Sequence, residues 1–164
     1  MDDVKREIIS KWILENNISE IECLVPDMTG NARGKFIPAK KFLKQESRLP
    51  EGILAQTVTG EYSEDFWDLL GTIDGDMLLE PDPDTIRMVP WANEITGQII
   101  HDCYTKDGKS HDFSSRAILK KILKLFEREN LMPVIAPEME FYLVEKNPNP
   151  GLPKNEKTVL PMGD

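Results

Sequence analysis

Two carboxylates, Glu138 and Glu140, stand two residues apart in the stretch Met132-Pro133-Val134-Ile135-Ala136-Pro137-Glu138-Met139-Glu140-Phe141-Tyr142-Leu143-Val144. From Glu138 onward this stretch alternates with the period of a β-strand, in which side chains two apart share a face. Met139, Phe141 and Leu143 then point one way, and Glu138, Glu140 and Tyr142 the other. The strand rise sets the two carboxylates about 7 Å apart. Mg²⁺ and Mn²⁺ are hard cations that want oxygen ligands, and phosphoryl-transfer sites often hold two ions about 4 Å apart. A rigid Glu-x-Glu strand can offer one carboxylate to each ion of such a pair. Alternating glutamates on a solvated sheet face give the same pattern, so the spacing alone leaves both readings open.

Other reactive residue types are sparse. Cys23 and Cys103 are too far apart in sequence for a metal pair at ligand spacing, and two cysteines make no disulfide framework. A reducing cytoplasm is the simplest home for them. His101 and His111 fall on a strand and in a loop and read as structural or solvent-facing. Trp12, Trp67 and Trp91 read as packing or interface residues. Gly30, Gly34 and Gly60 read as turn glycines, with no phosphate-loop spacing among them.

The elements that must carry these residues follow from periodicity. Residues 3 to 16 form an apolar stripe of Val4, Ile8 and Trp12 with Ile9 and Ile13 beside it, a helix stopped at Asn16-Asn17. Ile21 to Val25 and Arg33 to Pro38 read as a hairpin around the turn residues 26 to 31, and Ala39 to Gln45 as a short helix with Phe42 and Leu43 inward. Residues 46 to 75 lack regular pattern and read as a long loop, with one helical turn around Phe66-Trp67. Met77 to Leu79 and Ile86 to Val89 read as strands joined through Pro81-Asp82-Pro83-Asp84. Ile95 to Tyr104 is a further strand with Ile95, Gly97, Ile99, His101 and Cys103 on one face. Ser114-Ser115 caps a helix from Arg116 to Asn130 whose stripe is Ile118, Leu119, Ile122, Leu123 and Phe126. Four prolines, two glycines and three asparagines in residues 147 to 164 cannot build a core.

Charge is distributed in blocks. The chain of 164 residues carries a net charge of -9. Leu49 to Ile86 holds ten acidic residues and no Lys or Arg, which accounts for the excess. Asn31 to Arg48 carries Arg33, Lys35, Lys40, Lys41, Lys44 and Arg48 against Glu46 alone. A nucleic-acid binder would offer a broad basic surface, which this acidic chain does not have. No apolar run approaches the 18 or so residues that would span a membrane, and the N-terminus lacks the basic start and apolar core of a signal peptide. The asymmetry is either a solvated acidic loop or a pair of opposite faces that meet across a subunit boundary.

Taken together, these blocks resemble the N-terminal part of the glutamine synthetase family. Asp27-x-x-Gly30-x-x-Arg33-Gly34-Lys35-x-x-Pro38 is similar to the first hairpin of its N-terminal β-grasp domain. Asp76-Met77-Leu78-Leu79-x-Pro81-Asp82-x-x-Thr85 with Pro90-Trp91 resembles the next block, and Asp102 followed by the helix opening at Arg116 resembles the passage into the catalytic domain. Ala136 to Leu143 looks like the strand carrying the first two metal-binding glutamates.

The resemblance implies an α+β fold: a helix over 1–18, a β-grasp-like domain over 19–108, the first helix and strand of a catalytic domain over 109–146, and a flexible tail over 147–164. It implies an ATP-dependent glutamate–ammonia or glutamate–amine ligase acting through γ-glutamyl phosphate. Mg²⁺ or Mn²⁺ would sit on Glu140 near the glutamate and on Glu138 near the phosphates. It also implies a homo-oligomer that binds neither nucleic acid nor membrane. The chain itself contains no catalytic residue of the family, whose remaining ligands lie in a much longer sequence, so it is expected to be inactive alone. Many members carry an acidic residue where this chain reads Gln56-Thr57-Val58-Thr59-Gly60, and that departure, with Trp91 and Tyr142, leans toward the γ-glutamyl-amine ligase branch. The alternative is a non-catalytic β-grasp module that caps or regulates ligase subunits.

Overall fold

β6, Thr96–Tyr104, is the strand on which the sheet is assembled. The computed structural model describes residues 3–62, 64, 65, 68 and 75–141. Along one edge β6 runs parallel to β1, Glu20–Pro26, with Glu20 opposite Thr96 and Leu24 opposite Ile100. β2, Ala32–Pro38, pairs antiparallel with β1 over its full length, as the hairpin pattern predicts. Along the other edge β6 pairs antiparallel with β5, Arg87–Met88, and then with β4, Asp76–Pro81, which in turn pairs with β3, Ser47–Pro50. The sheet order is β2-β1-β6-β4-β3, with β5 beside β6. Helices and a mixed sheet make this an α+β fold, as expected.

The two strands joined through Pro81-Asp82-Pro83-Asp84 share one partner. β4 and β5 do not pair with each other; both pair with β6. The Asp82 carboxylate accepts from the Asp84 amide at 3.2 Å and starts a 3-10 turn, Pro83–Thr85, that carries the chain over rather than folding it back as a hairpin. Within the segment read as loop, β3 and a 3-10 turn, Glu51–Ala55, are regular. β3 is a four-residue edge strand containing Arg48 and Pro50, too short and too polar to show alternation. The helical turn expected around Phe66-Trp67 lies outside the described residues.

The sheet curls enough that its two edges approach. Lys35 Nζ of β2 donates to the Arg48 carbonyl of β3 at 2.6 Å. Gly34 in β2 is not a turn residue, in contrast to its reading from sequence. A Cβ there would lie 2.0 Å from the Cys23 carbonyl oxygen, so the close approach of β1 demands glycine. Gly30 and Gly60 do turn the chain, at φ of +83° and +89°.

α1, Asp3–Glu15, covers one face of the sheet. Its buried residues are Ile9 and Ile13, packed with Ile21, Cys23, Ile37 and Ile99, and Trp12 lies against Gly97, where a Cβ would come within 2.8 Å of the indole. Full burial of an isoleucine such as Ile9 stabilises by about 1.5–3 kcal/mol. Val4 and Ile8, read as part of the same stripe, are exposed, because the helix lies on the face centred on Ile9 and Ile13. Asn17, at φ 54°, ends α1 where a stop was expected. α2, Ala39–Phe42, buries Ala39 and Phe42. A second cluster of Val25, Leu54, Met77, Leu79 and Cys103 fills the other half of the sheet.

α3, Ser115–Arg128, is capped by Ser114, whose Oγ accepts from the Ala117 amide at 3.3 Å. It meets the sheet through Ala117 and through polar side chains. Arg116 Nε donates to Asp102 Oδ1 at 2.8 Å, Arg116 also pairs with Asp82, and Lys120 Nζ reaches Asp102. Four of the five residues of the stripe expected to be buried are turned outward: Ile118, Leu119, Ile122 and Phe126 are exposed, Ile122 by 44%, while Leu123 is half-buried. No element among the described residues of this unit covers them, so the charged side of the helix does the docking. The compact unit spans Met1–Leu131, and a second unit spans Met132–Asp164.

Candidate functional site

Glu138 and Glu140 belong to the second unit. The strand expected from their alternation is not formed over the described part, residues 131–141, and Tyr142, Leu143 and Val144 lie outside the described residues. A strand exists only with a neighbour to accept its ladder, and none pairs with this stretch among the described residues. Both glutamates are exposed, as are Met139 and Phe141 on the alternate positions. Their donor chemistry fits a hard divalent cation, but Mg²⁺ takes six oxygen ligands and two side chains fall short of a cage. Among the described residues no group of three His, Cys, Asp or Glu is arranged to hold a metal ion.

The first unit builds its polar side chains into fixed clusters. At the β1–β2 turn the Asp27 side chain is fully buried. Its Oδ1 accepts from the Thr29 amide and hydroxyl, both at 2.8 Å, and from the Asn31 amide at 2.9 Å, and Oδ2 accepts from Arg33 Nε at 2.7 Å. Burial pushes this carboxyl up, but the hydrogen bonds from Arg33, Thr29 and Asn31 outweigh it and hold it below the usual aspartate value. Arg33 then donates to the Thr57 carbonyl at 2.6 Å, and Asn31 Nδ2 to the Val58 carbonyl at 3.4 Å. The turn thereby fixes a second loop, in which Glu61 donates its amide to Thr57 Oγ1 at 3.1 Å and Gln56 bridges Tyr62. In the sequence, Asp27 and Arg33 stand out only as positions of the hairpin motif. An Asp followed at two and four residues by groups whose amides can turn back is the local signal for such a cage.

The remaining candidates are structural. His101 is buried and its Nδ1 sits 3.1 Å from the Ile99 carbonyl, while the Phe42 ring meets it edge-on at 6.0 Å. Burial lowers its pKa to about 4, against the pull of the Ile99 hydrogen bond and of Glu80 and Asp102. His111 is also buried and accepts from the Phe113 amide at 3.3 Å, with Glu51 4.0 Å from its Nε2. Both cysteines are free, and burial pushes each thiol up to about 12, so neither offers a thiolate. Trp12 packs inside, whereas Trp91 is 76% exposed, and Trp67 lies outside the described residues. No helix among the described residues is long and apolar enough to cross a membrane.

Comparison with known proteins gives these clusters a context. No family model matches the chain. A glutamine synthetase of Pyrococcus furiosus is 32% identical over 133 residues, which cover 81% of this chain and 28% of that protein. A glutamine synthetase of Thermotoga maritima is 29% identical over 153 residues, 92% of this chain and 31% of that one. Gamma-glutamylputrescine synthetase PuuA of Escherichia coli K12 is 28% identical over 138 residues, 79% of this chain and 28% of that protein. Among solved structures, a GmaS/ADP complex matches with a TM-score of 0.54 at 20% identity, over 74% of this chain and 26% of that one, a likeness of fold. The chain therefore spans a little under a third of the length of these curated relatives. By sequence over most of its length, and by fold, the chain is related to the glutamine synthetase family.

Proposed function

We propose that the chain is the N-terminal part of an ATP-dependent ligase that joins glutamate to ammonia or an amine. The observation that carries this is the 32% identity to a glutamine synthetase over 133 residues. The arrangement of strands supports it, since a first and a last strand paired in parallel at the sheet centre suit a β-grasp domain.

In such a reaction a carboxylate oxygen of glutamate attacks the γ-phosphorus of ATP and ADP departs. The amine nitrogen then attacks the acyl carbon, loses a proton and expels inorganic phosphate. Divalent ions, when bound, neutralise the phosphate and carboxylate charge that builds in both steps. Glu138 and Glu140 would each give oxygen ligands to Mg²⁺ or Mn²⁺, Glu140 on the glutamate side and Glu138 on the phosphate side. They would need the second unit to gain a sheet neighbour that turns their alternation into a strand. In this reading the first unit, over its described residues, holds neither ion nor phosphate. Its part is to present the loop held by Arg33, whose Gln56–Gly60 run lacks an aspartate and so favours an amine over free ammonia as nitrogen donor. The protein would assemble from several copies in the cytoplasm.

Two exposed carboxylates leave Mg²⁺ mostly hydrated, so the 164-residue chain alone has no ligase activity in this reading. An assay of phosphate release with ATP, glutamate, Mg²⁺ and a panel of amines tests it. Background rates are expected, and turnover by the purified chain would overturn the assignment of the missing ligands to sequence beyond these residues.

A further inference from the structure

Residues of α1, α2 and β4 together line a pocket of about 320 Å³, at the lower end of the roughly 300–1,000 Å³ typical of small-molecule sites. Phe42, Leu78, Leu79 and Pro81 form its apolar walls, and Phe42, Leu79 and Pro81 are buried, so the core fixes this lining. Its charged pair is Lys5 and Glu80, whose Nζ and Oε1 stand 3.0 Å apart with the side chains 35% and 21% exposed. Glu46, the other charged residue of the lining, is held by Arg48 at 2.9 Å.

Burial raises the Glu80 pKa, but the cations beside it, Lys5 among them, bring it below the usual glutamate value. Glu80 is therefore a carboxylate at neutral pH, in a place that already favours an ammonium. A partly exposed ion pair is weak, because water screens it. It opens for a partner that offers each member its own counter-charge. A ligand with a single charge satisfies one member at the expense of the pair. A ligand with an ammonium and a carboxylate matches both and leaves the charge balance of the pocket unchanged. Lys5 and Glu80 lie side by side, which suits two charges on one carbon better than charges at the ends of a long chain. The apolar walls are then left for a side chain.

We propose that this pocket binds a free α-amino acid with an apolar side chain. Its carboxylate meets Lys5, its ammonium meets Glu80, and its side chain packs against Phe42, Leu78, Leu79 and Pro81. The site lies within the first unit and stands without the ligase reading, and its test measures binding, not catalysis.

Calorimetric titration of the 164-residue chain decides it, with L-leucine, L-methionine and L-phenylalanine as probes. At least one of the three is expected to bind saturably below about 10 mM. Isovalerate and isoamylamine are analogues of leucine that each lack one of the two charged groups, and each is expected to bind at least about tenfold more weakly than the best amino acid. Lys5→Met and Glu80→Gln are each expected to weaken that amino acid by a similar factor, with far-UV circular dichroism checking the fold. Should Glu80→Gln fail to fold, the Lys5→Met variant and the two analogues decide without it. Absence of saturable binding by all three amino acids would overturn the proposal. So would an analogue that binds as tightly as the amino acid, or folded variants that bind it as the wild type does.

Discussion

Arg33 donates to the buried carboxylate of Asp27 at 2.7 Å and, with the same guanidinium, to the Thr57 carbonyl at 2.6 Å. One side chain thus neutralises the charge inside the β1–β2 turn and holds a loop 24 residues downstream. Removing Arg33 leaves a buried charge without its counter-ion, the situation in which an ion pair matters most to stability. Arg33→Ala is expected to cost about 2–4 kcal/mol in urea denaturation, and Asp27→Asn a comparable amount. Because the folded-state pKa of Asp27 is lowered, its contribution is present above the unfolded aspartate pKa and is lost as pH falls below it. Losses under 0.5 kcal/mol for both variants would place this pair among the weak surface contacts.

His101 gives the chain a second acid sensitivity at higher pH. The unfolded state takes up its proton near pH 6.5, while burial delays protonation of the folded state to about 4. The folded state therefore loses ground as pH falls from 6.5 toward 4, and below 4 there is no further loss. Between pH 7 and 5 the expected cost is about 2 kcal/mol, in a range where the carboxylates are still ionised. Thermal denaturation of the wild type and of His101→Leu at pH 7, 6 and 5 tests this. The slope should flatten in the variant, apart from the smaller share left to His111, whose pKa burial also lowers. An unchanged slope would show that His101 is not the group responsible.

The α3 stripe shows where sequence and structure part. Hairpin, capped helix and central strand were legible because each is local: turn residues around Gly30, Ser114 before Ala117, alternation along β6. Periodicity reports that a helix has an apolar side but not whether this chain brings something to cover it. The same limit applies to Glu138 and Glu140, whose alternation is strand-like while the ladder that would make a strand is absent from these residues. The Asp27 cage has a local signal in its spacing to Thr29 and Asn31, but the Arg116 clamp between Asp82 and Asp102 was invisible for another reason. Such contacts join residues up to 34 positions apart, which no local pattern encodes.

The orientation of α3 can be tested directly. Ala117 is buried beneath the helix and Ile122 is exposed on its outer side. Ala117→Asp should destabilise the chain by about 2 kcal/mol or more, since it puts a charge into a buried position under the helix. Ile122→Asp should stay within about 0.5 kcal/mol of wild type. The reverse order in urea denaturation would mean that the helix docks by its apolar stripe.

The ligase reading, carried by sequence identity, assigns its metal ligands to Glu138 and Glu140, and the most direct test of that assignment is steady-state ligase activity in a protein that continues this chain to the length of its relatives. Glu138→Gln and Glu140→Gln keep the shape of each side chain and remove the charge that would hold a divalent ion. Each substitution is expected to lower activity at least 100-fold, about 2.7 kcal/mol in the barrier, with the far-UV spectrum unchanged. Near-normal activity in both variants would return the two glutamates to a solvated strand face and contradict the account.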